Sequence, residues 1–203
     1  MRIKAIRSII LDIPKFTIHD IPFLVPFLGL FFRLAARLAG WKIIGDVPNY
    51  PKIVLIGAPH TSNWDYLLFL YGITAKRLRI NVLIKNTLFW PPLGTILRFL
   101  GGIPINRTKS YNVIKQGIEF INAVDETIIL IMPEGTRSYT EKWKSGFYHI
   151  AYGAKVPLIL AKVDAKNKAI LVGEEFPISG DYEKDIIQIQ ARFAPYMPKS
   201  PTK

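Results

Sequence analysis

Ile53-Val54-Leu55-Ile56-Gly57-Ala58-Pro59-His60-Thr61-Ser62-Asn63-Trp64-Asp65 is the stretch that sets the architecture. Its first six residues form an apolar run closed off by Pro51 and Pro59, with the length and branched side chains of a buried strand. Ser62 or Asn63 then caps a helix predicted over Asp65–Ala75. Reading outward, Ile80–Ile84 is a second strand, and Pro91–Leu100 is a helix with proline in its first turn, stopped by Gly101-Gly102. Ile103–Ile105 is a short extended piece. Ser110–Val124 carries helical periodicity in Val113, Ile114, Gly117, Ile118 and Ile121. Thr127–Met132 is a further strand, Gly146–Gly153 a short helix, Val156–Val163 and Ala169–Val172 strands, and Asp181–Tyr196 a closing helix. Strands alternating with helices predict an α/β domain: a largely parallel, mixed sheet flanked by helices. The tail from Pro198 is expected to fray.

The chain has 203 residues, enough for one compact domain with an appendage. The division expected is a segment over 1–44 and a domain over 45–203. Composition is 50% hydrophobic and 21% charged, which excludes a disordered chain. The net charge of +12 points to an anionic partner: a polyanion, an anionic membrane or a phosphorylated substrate. The absence of cysteine excludes disulfides, thiolate metal sites and thiol nucleophiles, and three histidines are too few for a rich metal cluster. The basic residues are dispersed and no nucleic-acid motif accompanies them, so nucleic acid is not the expected partner.

The N-terminal segment has an apolar run over Ile21–Phe32 followed by Arg33 and Arg37. It is shorter than the roughly 20 apolar residues a spanning helix needs, and it contains Pro22 and Pro26. Asp12, Asp20 and the prolines do not fit a signal peptide. An interfacial helix fits better: Phe23, Leu24, Phe27, Leu28, Leu30, Phe31 and Phe32 dip below the headgroups while Arg33 and Arg37, four apart on one helical face, stay with the phosphates. A helix packed on the protein's own core is the alternative.

Several polar clusters fall just beyond the carboxyl ends of strands, where ligands sit in open α/β sheets. His60 leaves the first strand and Asp65 follows five positions later. With His60 in the turn before the helix, Asp65 in the first turns can point back at it. A neutral imidazole takes a proton from a hydroxyl, and a carboxylate on its other nitrogen fixes the tautomer and stabilises the imidazolium. A turn histidine beside a capping aspartate gives the same spacing with no chemistry. Neither Ser62 nor Ser138 stands in a nucleophile elbow, so covalent catalysis is not favoured and the substrate supplies the attacking hydroxyl. After the Thr127–Met132 strand comes Pro133-Glu134-Gly135-Thr136-Arg137-Ser138, whose backbone N–H groups, hydroxyls and guanidinium suit a phosphate; Glu134 suits polyol hydroxyls or Arg137. Arg107 is a second candidate phosphate fork and Lys85 a further cation, or a chain lying over apolar surface. His19 and His149 read as structural or exposed.

Together these blocks resemble the glycerolipid acyltransferase superfamily, in particular its lysophosphatidate (1-acylglycerol-3-phosphate) acyltransferase-like members. His60 and Asp65 match its H-x-x-x-x-D block. Gly102-Ile103-Pro104-Ile105-Asn106-Arg107 resembles the second block, Pro133 to Ser138 matches the third, and Val156-Pro157-Leu158-Ile159 resembles the fourth, in the family's order and over about half of the chain. Pro59, Thr87 and Asn106 depart from the residues frequent at those places, which are asparagine, glutamate and aspartate.

The resemblance implies O-acyl transfer from acyl-carrier protein or acyl-CoA to the free hydroxyl of a lysophospholipid, giving phosphatidate from 1-acylglycerol-3-phosphate. It implies His60 as base and Asp65 as its orienter. Arg107, Glu134, Gly135, Thr136, Arg137 and Ser138 would hold the acceptor, with Lys85 beside them. The acyl thioester is a co-substrate, and no cofactor or metal is called for. The family's N-terminal membrane-binding helical motif agrees with the interfacial reading, and places the protein peripherally or monotopically on an anionic membrane at its cytoplasmic face. A lyso-aminolipid acceptor of the lyso-ornithine type, and a catalytically silent basic membrane-binding protein, are the other readings.

Overall fold

The computed structural model describes residues 17–60, 68, 71–72, 74, 76, 78–106, 108, 110–136 and 140–198. Seven strands form one sheet: β1 (Lys42–Ile44), β2 (Lys52–Ala58), β3 (Ile80–Lys85), β4 (Gly102–Ile105), β5 (Thr127–Ile131), β6 (Leu158–Asp164) and β7 (Ala169–Phe176). Their order is β1-β7-β6-β2-β5-β3-β4. The five strands from β6 to β4 are parallel; β7 turns back antiparallel to β6 and carries β1 parallel to itself. Among the described residues the α-helices are α1 (Leu24–Leu38), α2 (Leu93–Phe99), α3 (Ser110–Ala123), α4 (Gly146–Ala154) and α5 (Tyr182–Phe193). Leu68, Tyr71, Gly72, Thr74 and Lys76 are helical too; the rest of the helix expected over Asp65–Ala75 lies outside the described residues. The α/β class and the largely parallel sheet are as the alternation of elements requires.

The central strands are apolar on both sides because both sides are covered. Val54, Ile56, Leu83, Ile103, Ile105, Ile129, Leu158 and Leu160 point to one face, under Phe120 and Ile121 of α3, Phe147 and Ile150 of α4 and Ile186, Ile189 and Phe193 of α5. Ile53, Leu55, Ile80, Leu130 and Ile159 point to the other. On the first face α3 and α4 pack closely through Gly117, where a Cβ would stand 2.7 Å from Ile150 Cδ1. Asp181 caps α5 by accepting the Lys184 N–H at 3.2 Å.

Two differences from the sequence reading have physical reasons. Lys42–Ile44, which the division at residue 44 puts in the N-terminal segment, is a strand, because β7 offers it a parallel edge (Lys42 opposite Ala169, Ile44 opposite Leu171). Three residues carry no periodicity of their own, so only the partner makes them a strand. β7 also runs four residues beyond Val172, to Phe176, across a register shift opposite Leu160 and Ala161 where Gly173 takes φ +108°. The irregularity and the following Glu174 and Glu175 hide the alternation.

The end of β7 is tied to α4 and α5 by a buried polar knot. The Tyr148 hydroxyl donates to Asp185 Oδ2 at 2.8 Å and accepts the Gly180 N–H at 3.0 Å, while the Ser179 N–H and hydroxyl donate to Asp185 at 2.7 and 2.8 Å. Burial, then the bond to Asp185, pushes the Tyr148 hydroxyl up to about 12. Burial acts to raise the Asp185 carboxyl, but the Ser179 N–H, the Tyr148 hydroxyl and the Ser179 hydroxyl outweigh it and hold it below the usual range. A raised tyrosine stabilises the fold below its unfolded value near 10 and loses that contribution as pH climbs to about 12. Tyr148→Phe should therefore lower the unfolding free energy by about 1–3 kcal/mol, since a buried carboxylate loses a donor. It should also flatten the decline in stability between pH 10 and 12, which denaturant titrations at several pH values would measure.

Candidate active site

β2 ends at Ala58, and the cis Ala58–Pro59 peptide delivers His60 to the carboxyl edge of the sheet. β5 runs beside β2 in the same direction, with Ile56 opposite Ile131. The turn after β5 therefore arrives next to His60. It closes with the Gly135 N–H donating to the Met132 carbonyl at 3.2 Å. Glu134, 6% exposed, accepts the His60 backbone N–H on Oε2 at 2.8 Å. Two motifs 74 residues apart in the chain are thus joined by one charge-assisted hydrogen bond.

Gly135 sits at φ +66°, in the left-handed region that glycine adopts without steric cost. A Cβ there would also meet Lys144 Cγ at 3.1 Å. Lys144 is held over this turn because its N–H donates to the Pro133 carbonyl at 2.7 Å. Thr136 and Lys144 are exposed at the same place. After β4, Asn106 is clamped to α3: its N–H donates to Gln116 Oε1 at 3.0 Å, and Gln116 Nε2 donates back to its carbonyl at 3.1 Å. The loop that follows β4 thus starts from a fixed point.

A cavity of about 950 Å³ opens where β3 and β5 part beyond their paired residues. His60, Gly135, Thr136, Lys144 and Ser145 form its polar end, and Val82, Ile84, Leu97, Leu100, Val113, Ile114 and Ile150 form apolar walls. A second, smaller apolar cavity, about 90 Å³, lies on the other side of His60 between the sheet and the helix carrying Leu68, Gly72 and Lys76. Among the described residues no three histidine, aspartate or glutamate side chains gather as metal ligands would.

Of the residues singled out from the sequence, the structure brings His60, Gly135 and Thr136 to one cavity, with Glu134 buried beside it on the His60 N–H. Lys85 is exposed at the end of β3 and is not among the lining residues. Asp65, Arg107, Arg137 and Ser138 lie outside the described residues. Lys144 is a cation of this cavity that the motif reading passed over. Its only signal is the Lys142-Trp143-Lys144 run shortly after the Pro133–Ser138 block. His149 lies away from the cavity, its ring 5.6 Å from that of Tyr182.

The family model described as Acyltransferase matches residues 43–160, more than half of the chain. The chain belongs to the glycerolipid acyltransferase family. No curated protein matches it in a sequence comparison. The matched span begins at β1, takes in the His60 and Glu134 turns, and ends within β6, so it covers the strands from β1 to β5, the start of β6 and the edge where the cavity opens. Acyl transfer in general is the activity this membership gives the protein.

The bond from His60 to Glu134 makes a prediction about the acyltransferase fold itself. Glu134→Ala removes the acceptor of the His60 N–H and should cost about 1–3 kcal/mol of stability, while Glu134→Gln, which keeps a carbonyl acceptor, should cost less. Urea unfolding of the two variants beside the parent would measure both.

Proposed function

We propose that the protein transfers a fatty acyl chain from an acyl thioester, acyl-carrier protein or acyl-CoA, to the free hydroxyl of a lysophospholipid, with 1-acylglycerol-3-phosphate as acceptor and phosphatidate as product. The observation that carries this reading is the junction of the His60 and Glu134 motifs at the polar end of a large, mainly apolar cavity. A lipid hydroxyl and a thioester carbonyl that meet at His60 leave their alkyl chains in apolar surroundings and their anionic parts near Lys144 and the Pro133–Thr136 turn.

His60 takes the proton of the acceptor hydroxyl, and the oxygen attacks the thioester carbonyl. Collapse of the tetrahedral intermediate expels the thiolate, which takes the proton back from the imidazolium. Asp65 orients the imidazole; Arg107 and Arg137, with Glu134, Gly135, Thr136 and Ser138, hold the glycerol-phosphate part; Lys144 joins them as a cation. Two reactants held in line at one base account for about 7–11 kcal/mol of the barrier, and the base for roughly 10²–10⁴-fold.

The same reading places the protein on an anionic membrane, peripherally, at its cytoplasmic face. α1 is 15 residues long and so spans roughly 22 Å, short of the roughly 30 Å hydrocarbon core. No helix among the described residues is long and apolar enough to cross a membrane. Yet Phe23 is 84% exposed, and Phe27, Leu30, Phe31, Leu34 and Leu38 continue that surface, as in a helix lying at the interface.

The decisive assay offers acyl-carrier protein and acyl-CoA thioesters to lysophosphatidate and to a lyso-aminolipid in parallel. Phosphatidate should form, and His60→Ala should lower its turnover by roughly 10²-fold or more with the fold intact by circular dichroism. Wild-type turnover in that variant would remove His60 from the chemistry, and product from the aminolipid alone would reassign the acceptor. A second measurement locates the chain. Val113 lines the large cavity, so Val113→Trp should cut turnover of long-chain substrates roughly 10-fold or more while sparing short ones, by steric exclusion worth about 1.4 kcal/mol or more. Equal loss at every chain length would empty that cavity of its alkyl chain.

A further inference from the structure

A second exposed apolar surface lies beside the cavity and belongs neither to the core nor to the N-terminal helix. Leu88, Trp90, Ile96 and Leu100 are each more than a third exposed, Trp90 57% and Ile96 52%. They come from the segment after β3 and from α2 with its C-cap Leu100, whose N–H donates to the Ile96 carbonyl at 3.0 Å, so that the two, four apart, share a side. Leu100 and its neighbour Leu97 also line the large cavity, so this surface runs into its rim.

The fold fixes which way the surface looks. A Cβ on Gly102 would meet the Leu97 carbonyl oxygen at 2.8 Å and Ile84 Cδ1 at 2.9 Å, so α2 covers the sheet face to which Ile84 points. Ile80 and Val82 share that face by the two-residue period of a strand. The helical residues Leu68, Gly72 and Lys76 lie over that face too, lining the smaller cavity together with Ile80, Leu130 and Met132. α1 stacks on that helix, with Gly29 against Thr74, where a Cβ would stand 2.8 Å from the Thr74 carbonyl oxygen. α1 and α2 therefore occupy the same side of the sheet, and both turn apolar residues outward. α3, α4 and α5 occupy the other side.

The charge of this part of the chain is one-sided. From Tyr66 to Ile118 the sequence contains no aspartate or glutamate and eight lysines and arginines, of which Lys76 pairs with Asp46 and Arg79 stands 3.8 Å from Asp20, carboxylates supplied from outside the segment. Lys85 stands exposed at the end of β3, and Arg98 of α2 stacks on Phe89, 4.9 Å from the ring centroid. A tryptophan and aliphatic residues bordered by cations, with no carboxylate in the segment, match the boundary between acyl chains and anionic headgroups.

We propose that Leu88, Trp90, Ile96 and Leu100 form a second membrane-inserting surface, seated on the same anionic leaflet as α1, so that the rim of the large cavity meets the bilayer and the lipid acceptor enters from it sideways. The inference rests on the membrane-surface reading given above. It adds that the α/β domain itself is docked, with the α1–α2 side facing the bilayer and the cavity rim at the leaflet.

The chain has no cysteine, so single cysteines report cleanly. Ile96→Cys, Phe27→Cys and Ile187→Cys, each labelled with an environment-sensitive fluorophore, are mixed with vesicles of phosphatidylcholine and phosphatidylglycerol. Ile187, on α5, is an exposed apolar position on the opposite side. Labels at 96 and 27 should brighten and shift to shorter wavelength, and be quenched by brominated lipid, while the label at 187 stays unchanged. A shift at 27 alone would overturn the second surface and leave the membrane reading standing. No shift at either would overturn both. Equal shifts at all three would show attachment without orientation and also overturn the proposal. A shift at 96 with an acidic carrier protein but not with vesicles would give the surface to a protein partner instead. In a parallel assay, Trp90→Gln with Ile96→Gln should lower turnover of vesicle-borne acceptor several-fold, yet leave turnover of a short-chain, water-soluble acceptor at the parent value. Equal loss on both acceptors would mean that the patch serves folding, not docking.

Discussion

The parallel pairing of β2 with β5 is the constraint on which the site depends. Because the two strands run the same way, and Ile56 stands opposite Ile131, the residues that follow each must leave the sheet at the same edge. His60 is four residues past Ile56 and Glu134 three past Ile131, so the two turns collide, and the His60 N–H finds the Glu134 carboxylate. An antiparallel pair would have sent those turns to opposite ends. The register is held by burial: Ile53, Val54, Ile56 and Ile129 are fully buried, and a slip of one residue would exchange the faces of every one of them.

The two faces of the sheet do different work. One is covered by α3, α4 and α5, the first two also giving Val113, Ile114 and Ile150 to the wall of the large cavity, with Gly117 bringing α3 and α4 together and the Tyr148–Asp185 knot fastening α5 to the end of β7. This side is a conventional apolar core. The other carries the smaller cavity, the helical residues Leu68, Gly72 and Lys76, α1 and α2, and turns large apolar side chains to the outside. The acyltransferase domain is thus built with a closed side and an open side. The large cavity opens where β3 and β5 diverge, near the Gly135 turn that Lys144 overlies. Lys162 is an interior charge on the closed side, 8% exposed; it pairs with Glu174, to which Arg192 also donates at 2.9 Å, so that it is buried with a counter-charge.

Much of the fold was legible because local signals were strong. Ile53–Ala58 and Thr127–Ile131 are uninterrupted apolar runs between turn residues, and α3 keeps its apolar stripe through Ile121. Elements whose identity is borrowed from a partner were not legible. β1 is three residues that become a strand on the edge of β7, and β7 itself continues past an irregularity that breaks its alternation. At the site, the Pro133–Thr136 turn and His60 could be named from residue type and order. Lys144 could not, because what brings it to Gly135 is a backbone bond to Pro133, eleven residues upstream, and nothing in its own neighbourhood announces that.

The sequence by itself determined the α/β class, the order of the chemical blocks, the surplus of positive charge and the family, since these depend on composition, period and local motif. Only the tertiary structure decided that His60 and Glu134 share a hydrogen bond, that their turns meet beside a large cavity, and that α1 and α2 lie on one side of the sheet. Those facts follow from strand order and register, which are set by the summed burial of side chains far apart in the chain. No window of residues carries that sum. The edge at which two motifs meet is therefore a property of the packed sheet and not of either motif.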